Sequence, residues 1–424
     1  HTCNHWLFSR LLEASLPTAW SSAQLAPVRK SYGSLERPGG REGLRDLLRN
    51  AMLRLPFPRL KGMSTGQSLR FSLALLHKSR GADRSCPQQE YASRHTGLAL
   101  DLPAPLAADP LPLFLPFLPL QLARLRHPEK ISPDPWGPRL RVASVLAYED
   151  AAYRQTLALW RGRGNRLMYV QHGSDYGQTR CVTDVELVEY SQHAFATWGW
   201  ERHTGCRGHF IPLPYPQLAR AASRQRKKNG TGLLLVGTEM PAFGYRMDAH
   251  PNPRQMVEYR QDKALFLSGL SQQLHAATLY RPYFPVPGSL RDADWLLERF
   301  PQVRMATGPL APHMDSCRLL VLDHNGTTLL EALAANIPTI LFWRKDFWPL
   351  TPEAEELREI LAKAGIWHST PRQAATKAAE VWTDPRAWWA TPAVQNARSA
   401  YCAAQAWTVP GSPSPFWIKT LKSL

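Results

Sequence analysis

Residues 317–343 read CRLLVLDHNGTTLLEALAANIPTILFW. The run CRLLVLD is short, apolar and aliphatic, which suits a buried strand. Gly326 turns the chain, Thr327 and Thr328 open the helix TTLLEALAAN, and PTILFW returns as a second strand. A strand, a helix and a second strand in this spacing predict one repeat of a mostly parallel α/β sheet.

The same alternation extends in both directions. Upstream, TGLLLVGTEMP (231–241) starts the series, followed by one helix over 255–275, strand-like ATLYRPYF (277–284) and the helix DADWLLERF (292–300). Helices from Glu353 to Trp382 follow it. A separate series begins near residue 139, with strands LRVASVLAY (140–148), RLMYVQHG (166–173), HAFATWGW (193–200) and GHFIPLPYP (208–216). Between them lie the helix EDAAYRQTLALWRGRG, closed by glycine, and the short helix DVELVEYSQ. The polar, basic stretch Gln217–Gly230 separates the two series. The expected fold class is α/β, with two facing Rossmann-like domains and an interdomain cleft. Residues 1–220 would form the first domain and 231–400 the second, with 401–424 packing back on the first.

The N-terminal third is less informative. WLFSRLLEA and LRDLLRNAMLRL read as amphipathic helices, and SLRFSLALLHKS also favours helix. The proline-rich apolar run Pro110–Leu122 is too short and too broken to cross a bilayer. It reads as a buried extended segment, or as a patch resting on lipid or a partner.

A chain of 424 residues with 44% hydrophobic and 20% charged content is long enough for two or three cores, and disorder is not expected. The net charge of +17 attracts anions such as nucleotide phosphates or an anionic membrane face. Nucleic acid is disfavoured, because neither a zinc finger nor an aromatic RNA-binding signature occurs. The six cysteines are scattered with no CxxC pair, against a zinc site or a disulfide framework. No signal peptide or long apolar span is read, so the expected location is cytoplasmic, peripheral at the inner face of the inner membrane. The sequons at Asn229 and Asn325 would then carry no glycan.

Ligands of such sheets sit outside the carboxyl ends of the strands, and three loops there carry polar chemistry. The first is Asp323 to Thr328. Helix N-termini leave amides unpaired and carry partial positive charge, so phosphate is their natural ligand. Here His324, Asn325, Gly326, Thr327 and Thr328 would line it, with Glu331 one helical turn on and within reach of a ribose hydroxyl. The plainer alternative is that Thr327 merely caps the helix and Glu331 supports its first turn. The second loop is Gln171-His172-Gly173-Ser174-Asp175-Tyr176-Gly177, whose glycines permit close ligand approach. His172 suits an anion or a proton transfer, and Asp175 supplies a carboxylate. The third is Gly237 to Pro241, where Glu239 faces the proposed cleft. Arg281, ending ATLYR, is placed to pair with a phosphate or a carboxylate. Trp198 and Trp200 read as a core wall rather than a sugar platform.

The sequence resembles a family of transferases from bacterial surface-carbohydrate clusters. The likeness rests on YVQHGSDYG (169–177), EYSQHAFATWGW (189–200), DHNGTTLLEALAANIPTILFW (323–343), WPLTPEAEELREILAKAGIWHSTPRQAA and VWTDPRAWW. That family is similar to the retaining β-Kdo transferases, which use CMP-Kdo on a GT-B scaffold (Kdo is 3-deoxy-manno-octulosonic acid). The resemblance implies a GT-B-like fold, a donor nucleotide at Asn325, Gly326, Thr327, Thr328 and Glu331, and a role for Gln171, His172 and Gly173. Ser174 and Asp175 depart from it, standing where glycines are expected. The first 135 residues lie outside it.

A retaining transferase can act by double displacement, in which a carboxylate attacks the anomeric carbon and the acceptor then displaces it. Asp175, Glu186, Glu189 and Glu239 are the available carboxylates, Asp175 being the expected nucleophile and His172 or Glu189 the group assisting the acceptor. Glu186 and Glu189 would share one helix face. Helix amides and Arg281 would stabilise the leaving phosphate, with no metal and no other cofactor required. The expected partners are a nucleotide-sugar donor and a lipid-linked or oligosaccharide acceptor. The alternatives are the same scaffold with CDP-glycerol or a UDP-sugar, and a non-catalytic anion-binding or membrane-scaffolding protein.

Overall fold

The structure, a computed structural model, describes residues 56–58, 60–78, 139–145, 147, 151–162, 164–180, 185–224, 230–239, 251–283 and 291–424. The readings of WLFSRLLEA, of residues 44–55 and of Pro110–Leu122 fall outside these. The chain divides into two compact units, His1–Pro58 with Leu75–Leu167, and Arg59–Ala74 with Met168–Leu424.

In chain order the elements are α1 (Thr65–Lys78), β1 (Leu140–Ala143), α2 (Ala151–Gly162), β2 (Arg166–Val170), a π-helical turn (Glu186–Tyr190), β3 (Ala194–Thr197), β4 (Phe210–Pro212) and α3 (Pro216–Ala222). The second series runs β5 (Leu233–Val236), α4 (Pro253–Ser268), α5 (Gln272–Ala277), β6 (Thr278–Arg281), α6 (Asp292–Arg299), β7 (Arg304–Met305), α7 (Leu310–Ser316), β8 (Leu319–Leu322), α8 (Thr327–Ala334) and β9 (Thr339–Phe342). It closes with α9 (Pro352–Lys363), β10 (Trp367–His368), α10 (Pro371–Val381), α11 (Pro385–Trp389), α12 (Pro392–Gln405) and α13 (Ser414–Ser423).

In the first unit, the buried strand β1 accompanies α2, whose Tyr153, Leu157 and Trp160 are buried. The Arg141 guanidinium lies 5.5 Å from the centre of the Trp160 ring. Burial pushes the Tyr153 hydroxyl up to about 12, against the opposing charge of Arg141.

The second unit contains the parallel ladder β2-β3-β4 and a six-stranded sheet in the order β10-β9-β8-β5-β6-β7, whose paired strands are all parallel. The fold is therefore α/β with two sheets of parallel strands. Every residue of β5, β8 and β9 is buried, as a parallel sheet covered on both faces requires. On one face Leu233, Leu235, Leu319, Val321, Ile340 and Phe342 pack with Phe266 and Leu267 of α4 and with Ala374, Ala375 and Ala378 of α10. Each such leucine, valine or isoleucine contributes about 1.5–3 kcal/mol by leaving water.

The single helix expected over 255–275 is two helices. Gly269 ends α4, and the Ser271 hydroxyl caps α5 by accepting the Leu274 amide at 3.3 Å. Asn252 and Gln255 close a capping box at the start of α4. The segment after α12 packs against the first sheet's neighbourhood. There the Trp407 amide donates to the Trp198 carbonyl (2.8 Å) and Trp417 Nε1 to the Pro214 carbonyl (2.9 Å). Among the described residues no helix is long and apolar enough to cross a membrane.

Candidate active site

In the six-stranded sheet, chain progression reverses between β5 and β8: β6 and β7 lie to one side of β5, and β8, β9 and β10 to the other. That is the topological switch point, where crossover helices leave on opposite faces and a crevice opens beyond the strands' carboxyl ends. The segments leaving β5 and β8 there are Gly237–Glu239 and Asp323–Gly326. They are tied together, because the Thr238 amide donates to Asp323 Oδ1 at 2.8 Å.

Helix α8 starts at this point. Gly326 occupies its cap position with extended backbone (φ −123°, ψ 174°), and no side chain caps the first turn. Thr327 is thus the first helical residue rather than the cap. Thr327 and Thr328 are half-buried, and the helix leaves its leading amides to whatever lies before it. His324 Nδ1 donates to Asp323 Oδ1 at 2.8 Å, which fixes the ring. A side chain at Gly326 would meet that ring, since a Cβ there would lie 2.4 Å from His324 Cδ2. Asn325 is buried. Its side-chain nitrogen donates to Gln178 Oε1 (3.2 Å), its carbonyl accepts from the Ser174 hydroxyl (3.3 Å), and its side-chain oxygen has no hydrogen-bond partner among the described residues. A buried acceptor left open beside a bare helix N-terminus is a place a ligand donor would fill.

Glu331 is half-buried and accepts a hydrogen bond from Gln217 Nε2 of α3. Arg281, at the carboxyl end of β6, is half-buried, reaches only the Ala306 carbonyl (3.5 Å), and has no carboxylate partner among the described residues.

Beneath these loops lies a charged layer that the sequence reading missed. Lys263 of α4 is fully buried. Its Nζ reaches Asp292 Oδ2 at 2.6 Å, Asp323 Oδ2 at 3.7 Å and the Thr238 carbonyl. Arg260 Nε adds a second cation to Asp292 at 2.7 Å. Burial works against the charge of Lys263, but Tyr280, Asp323 and Asp292 outweigh it and hold its pKa above the usual lysine range. Glu239 belongs to this layer. It is buried and accepts the Asp292 amide at 3.1 Å. Tyr259 donates to the Asp323 carbonyl, and burial followed by the Asp323 charge raises its hydroxyl pKa.

The loop after β2 reaches the same place. Gln171 is fully buried and its amide is engaged internally. Its Nε2 donates to the Gly173 carbonyl (2.8 Å), and its Oε1 accepts from the Trp198 amide (2.9 Å) and from Trp200 Nε1 (2.8 Å). Trp198 and Trp200 are both buried, Trp198 stacked on Tyr215 with centroids 4.3 Å apart. Gly177 needs its missing side chain, having φ +73° and the Trp200 ring 2.5 Å from where a Cβ would stand. Ser174 and Gln178 carry the loop's contacts to Asn325, and the Tyr401 hydroxyl also donates to Gln178 Oε1 (2.9 Å). Asp175 is exposed between buried Ser174 and buried Tyr176, and its carbonyl accepts the amides of Gln178 and Thr179 (3.2 and 2.9 Å). Gly173 and His172 are half-buried.

The helix expected over 184–192 is a π-turn, closed by the Ser191 amide bonding to the Glu186 carbonyl. Its wider winding separates two carboxylates that an α-helix would place on one face. Glu186 stays half-buried while Glu189 is fully buried, accepting from the Tyr176 hydroxyl at 2.8 Å.

The structure therefore brings the loop 171–178 and the loop 323–328 into contact. It places Glu189 and Glu239 inside the protein, and leaves Asp175 as the exposed carboxylate of the set. Tyr176, Ser174, Gln178, Lys263, Asp292 and Asp323 had no role in the sequence reading. Tyr176 alone had a local signal, lying four residues from His172.

A family model described as LIC12162 family transferase matches residues 1–421. No curated protein matches the sequence. Among solved structures, the chain is similar to the spinosyn forosaminyltransferase SpnP, at 13% identity and a TM-score of 0.36 over 68% of this chain and 76% of that one. It is also similar to LpCGTa in complex with UDP, at 12% and 0.35 over 76% and 83%, and to the wall teichoic acid polymerase TagF, at 9% and 0.35 over 61% and 68%. The family match spans nearly the whole chain, both sheets included, and on that ground the chain belongs to the LIC12162 family of transferases.

Proposed function

We propose that this transferase moves a sugar from a nucleotide-linked donor to the hydroxyl of a saccharide or lipid-linked acceptor. The observation that carries the reading is the uncapped N-terminus of α8 at the switch point, with the buried Asn325 oxygen, unpartnered among the described residues, beside it. The leading amides and the Thr327 and Thr328 hydroxyls would hold the donor phosphate. The His324 ring, fixed by Asp323, and the guanidinium of Arg281 would meet the charge that develops as the nucleotide leaves. Glu331 sits one turn further along α8, where a ribose hydroxyl would lie. Asp175 is the nucleophile of a double displacement, retaining the anomeric configuration. The preferred donor is CMP-Kdo, from the resemblance in the loops 169–177 and 323–343, and the product is surface polysaccharide.

Replacing Thr327 and Thr328 together by valine keeps their volume and removes both hydroxyl donors. Nucleotide affinity is expected to fall at least about tenfold, or about 1.4 kcal/mol. Isothermal calorimetry on the folded double variant is the check, and unchanged affinity would refute the phosphate assignment.

A further inference from the structure

Asp323 is fully buried, and its neighbours fix its carboxylate. Oδ1 accepts the Thr238 amide and His324 Nδ1, both at 2.8 Å, and the Tyr259 hydroxyl donates to the Asp323 carbonyl. An ionised carboxylate only accepts, so the proton of a neutral His324 ring sits on Nδ1 and Nε2 carries a lone pair. The His324 side chain keeps 11% of its surface exposed, and Nε2 has no hydrogen-bond partner among the described residues. Nε2 lies against the turn into α8, because a Cβ on Gly326 would stand 2.7 Å from it. This nitrogen therefore meets whatever the uncapped helix N-terminus holds.

The charges beneath are unequal. Lys263 and Arg260 of α4 face Asp292, Asp323 and buried Glu239, two cations against three carboxylates. Asp323 is poorly compensated, since Lys263 Nζ stands 3.7 Å from its Oδ2, and that oxygen has no hydrogen-bond partner among the described residues. Tyr259 and Tyr280 add no charge, because burial raises both hydroxyls above the usual phenol range. Asp262 is held by Arg344. Arg281 at the end of β6 and Glu331 on α8 are the other charged groups around the crevice.

We propose that His324 receives the donor phosphate as an imidazolium, so that donor binding takes up a proton, and that Asp323 is the positioning residue that holds the charged ring; this rests on the glycosyl-transfer reading above. With a neutral ring, Nε2 and a phosphate oxygen are two acceptors and repel each other. With a second proton, Nε2 donates a charge-assisted hydrogen bond to the phosphate and Nδ1 keeps its bond to Asp323. The new cation also balances the odd negative charge of the buried layer. The proton comes from solvent and stays on the ring while the donor is bound.

The test is isothermal calorimetry of the full chain with CMP-Kdo, CDP-glycerol and UDP-glucose, in two buffers of different ionisation enthalpy. The phosphate esters of these probes do not titrate near neutral pH, so any proton taken up belongs to the protein. At about pH 8 the wild type is expected to take up about one proton per donor bound, and its affinity should weaken by up to about tenfold for each further pH unit. Asp323→Asn keeps an acceptor oxygen but removes the charge, and uptake should fall below about half a proton. His324→Gln keeps an amide donor that cannot titrate, so uptake should vanish and affinity should be nearly flat between about pH 6.5 and 8.5. His324 is partly exposed, so its variant serves if Asp323→Asn does not fold. A merely structural Asp323 would weaken binding by one factor at every pH with uptake intact, which would overturn its assignment. Donor binding by the wild type without proton uptake, or uptake that persists in His324→Gln, would overturn the inference and leave the transfer reading standing. No binding of any of the three by the folded wild type would overturn both.

Discussion

Asp175→Asn is expected to leave nucleotide affinity unchanged and to lower transfer at least about a thousandfold, equivalent to about 4 kcal/mol of transition-state stabilisation. The substitution keeps the shape of the side chain but removes the charge and the ability to form a glycosyl ester. The choice of this carboxylate is one of exposure. Glu189 and Glu239 are buried and already accept hydrogen bonds from Tyr176 and the Asp292 amide. Asp175 stands exposed in a loop held by its neighbours, one residue from the Ser174 contact to Asn325. Intact-mass measurement with donor alone should find a sugar adduct on the wild type and none on the variant. Near-normal turnover by Asp175→Asn would reject the role and turn attention to half-buried Glu186 before the two interior glutamates.

Lys263→Met should destabilise the fold by about 3–5 kcal/mol, the usual cost of removing one partner from a buried ionic group. Asp292 would keep Arg260, but Asp323 would lose the only cation near its Oδ2 among the described residues, at 3.7 Å. Methionine fills much of the lysine stem's volume, so the loss measures charge rather than a cavity. Urea unfolding at neutral pH is the check. A change under about 1 kcal/mol would mean that the layer beneath the switch point contributes little to holding Thr238, Asp323 and His324 in place.

Much of this was legible from local pattern. Aliphatic runs marked β5, β8 and β9, because buried parallel strands need little else. The glycine and paired threonines located the start of α8, although the plainer alternative put the cap at Thr327 and the structure puts Gly326 there. Less local features were not legible. Gly269 lies inside the single helix read over 255–275, where it ends α4 and Ser271 caps α5. The π-turn leaves no periodicity that distinguishes it from a short helix, so Glu186 and Glu189 read as one face. The charged layer joins Lys263, Asp292 and Asp323, which are far apart in sequence and meet only because β5 and β8 are neighbours. Gln171 had a role only through the resemblance, whereas its amide holds Trp198 and Trp200. Tyr176 was given no role, yet its hydroxyl meets both His172 and Glu189.

The central claim is that the carboxyl end of the β5–β8 pair, with the N-terminus of α8, binds a nucleotide-linked sugar. Isothermal calorimetry of the full chain against CMP, CDP, UDP and GDP, and against CMP-Kdo, tests it most directly. The account predicts saturable one-to-one binding that favours the cytidine nucleotides and is lost in the Thr327→Val, Thr328→Val variant. Absence of binding to every nucleotide by the folded wild type would contradict it.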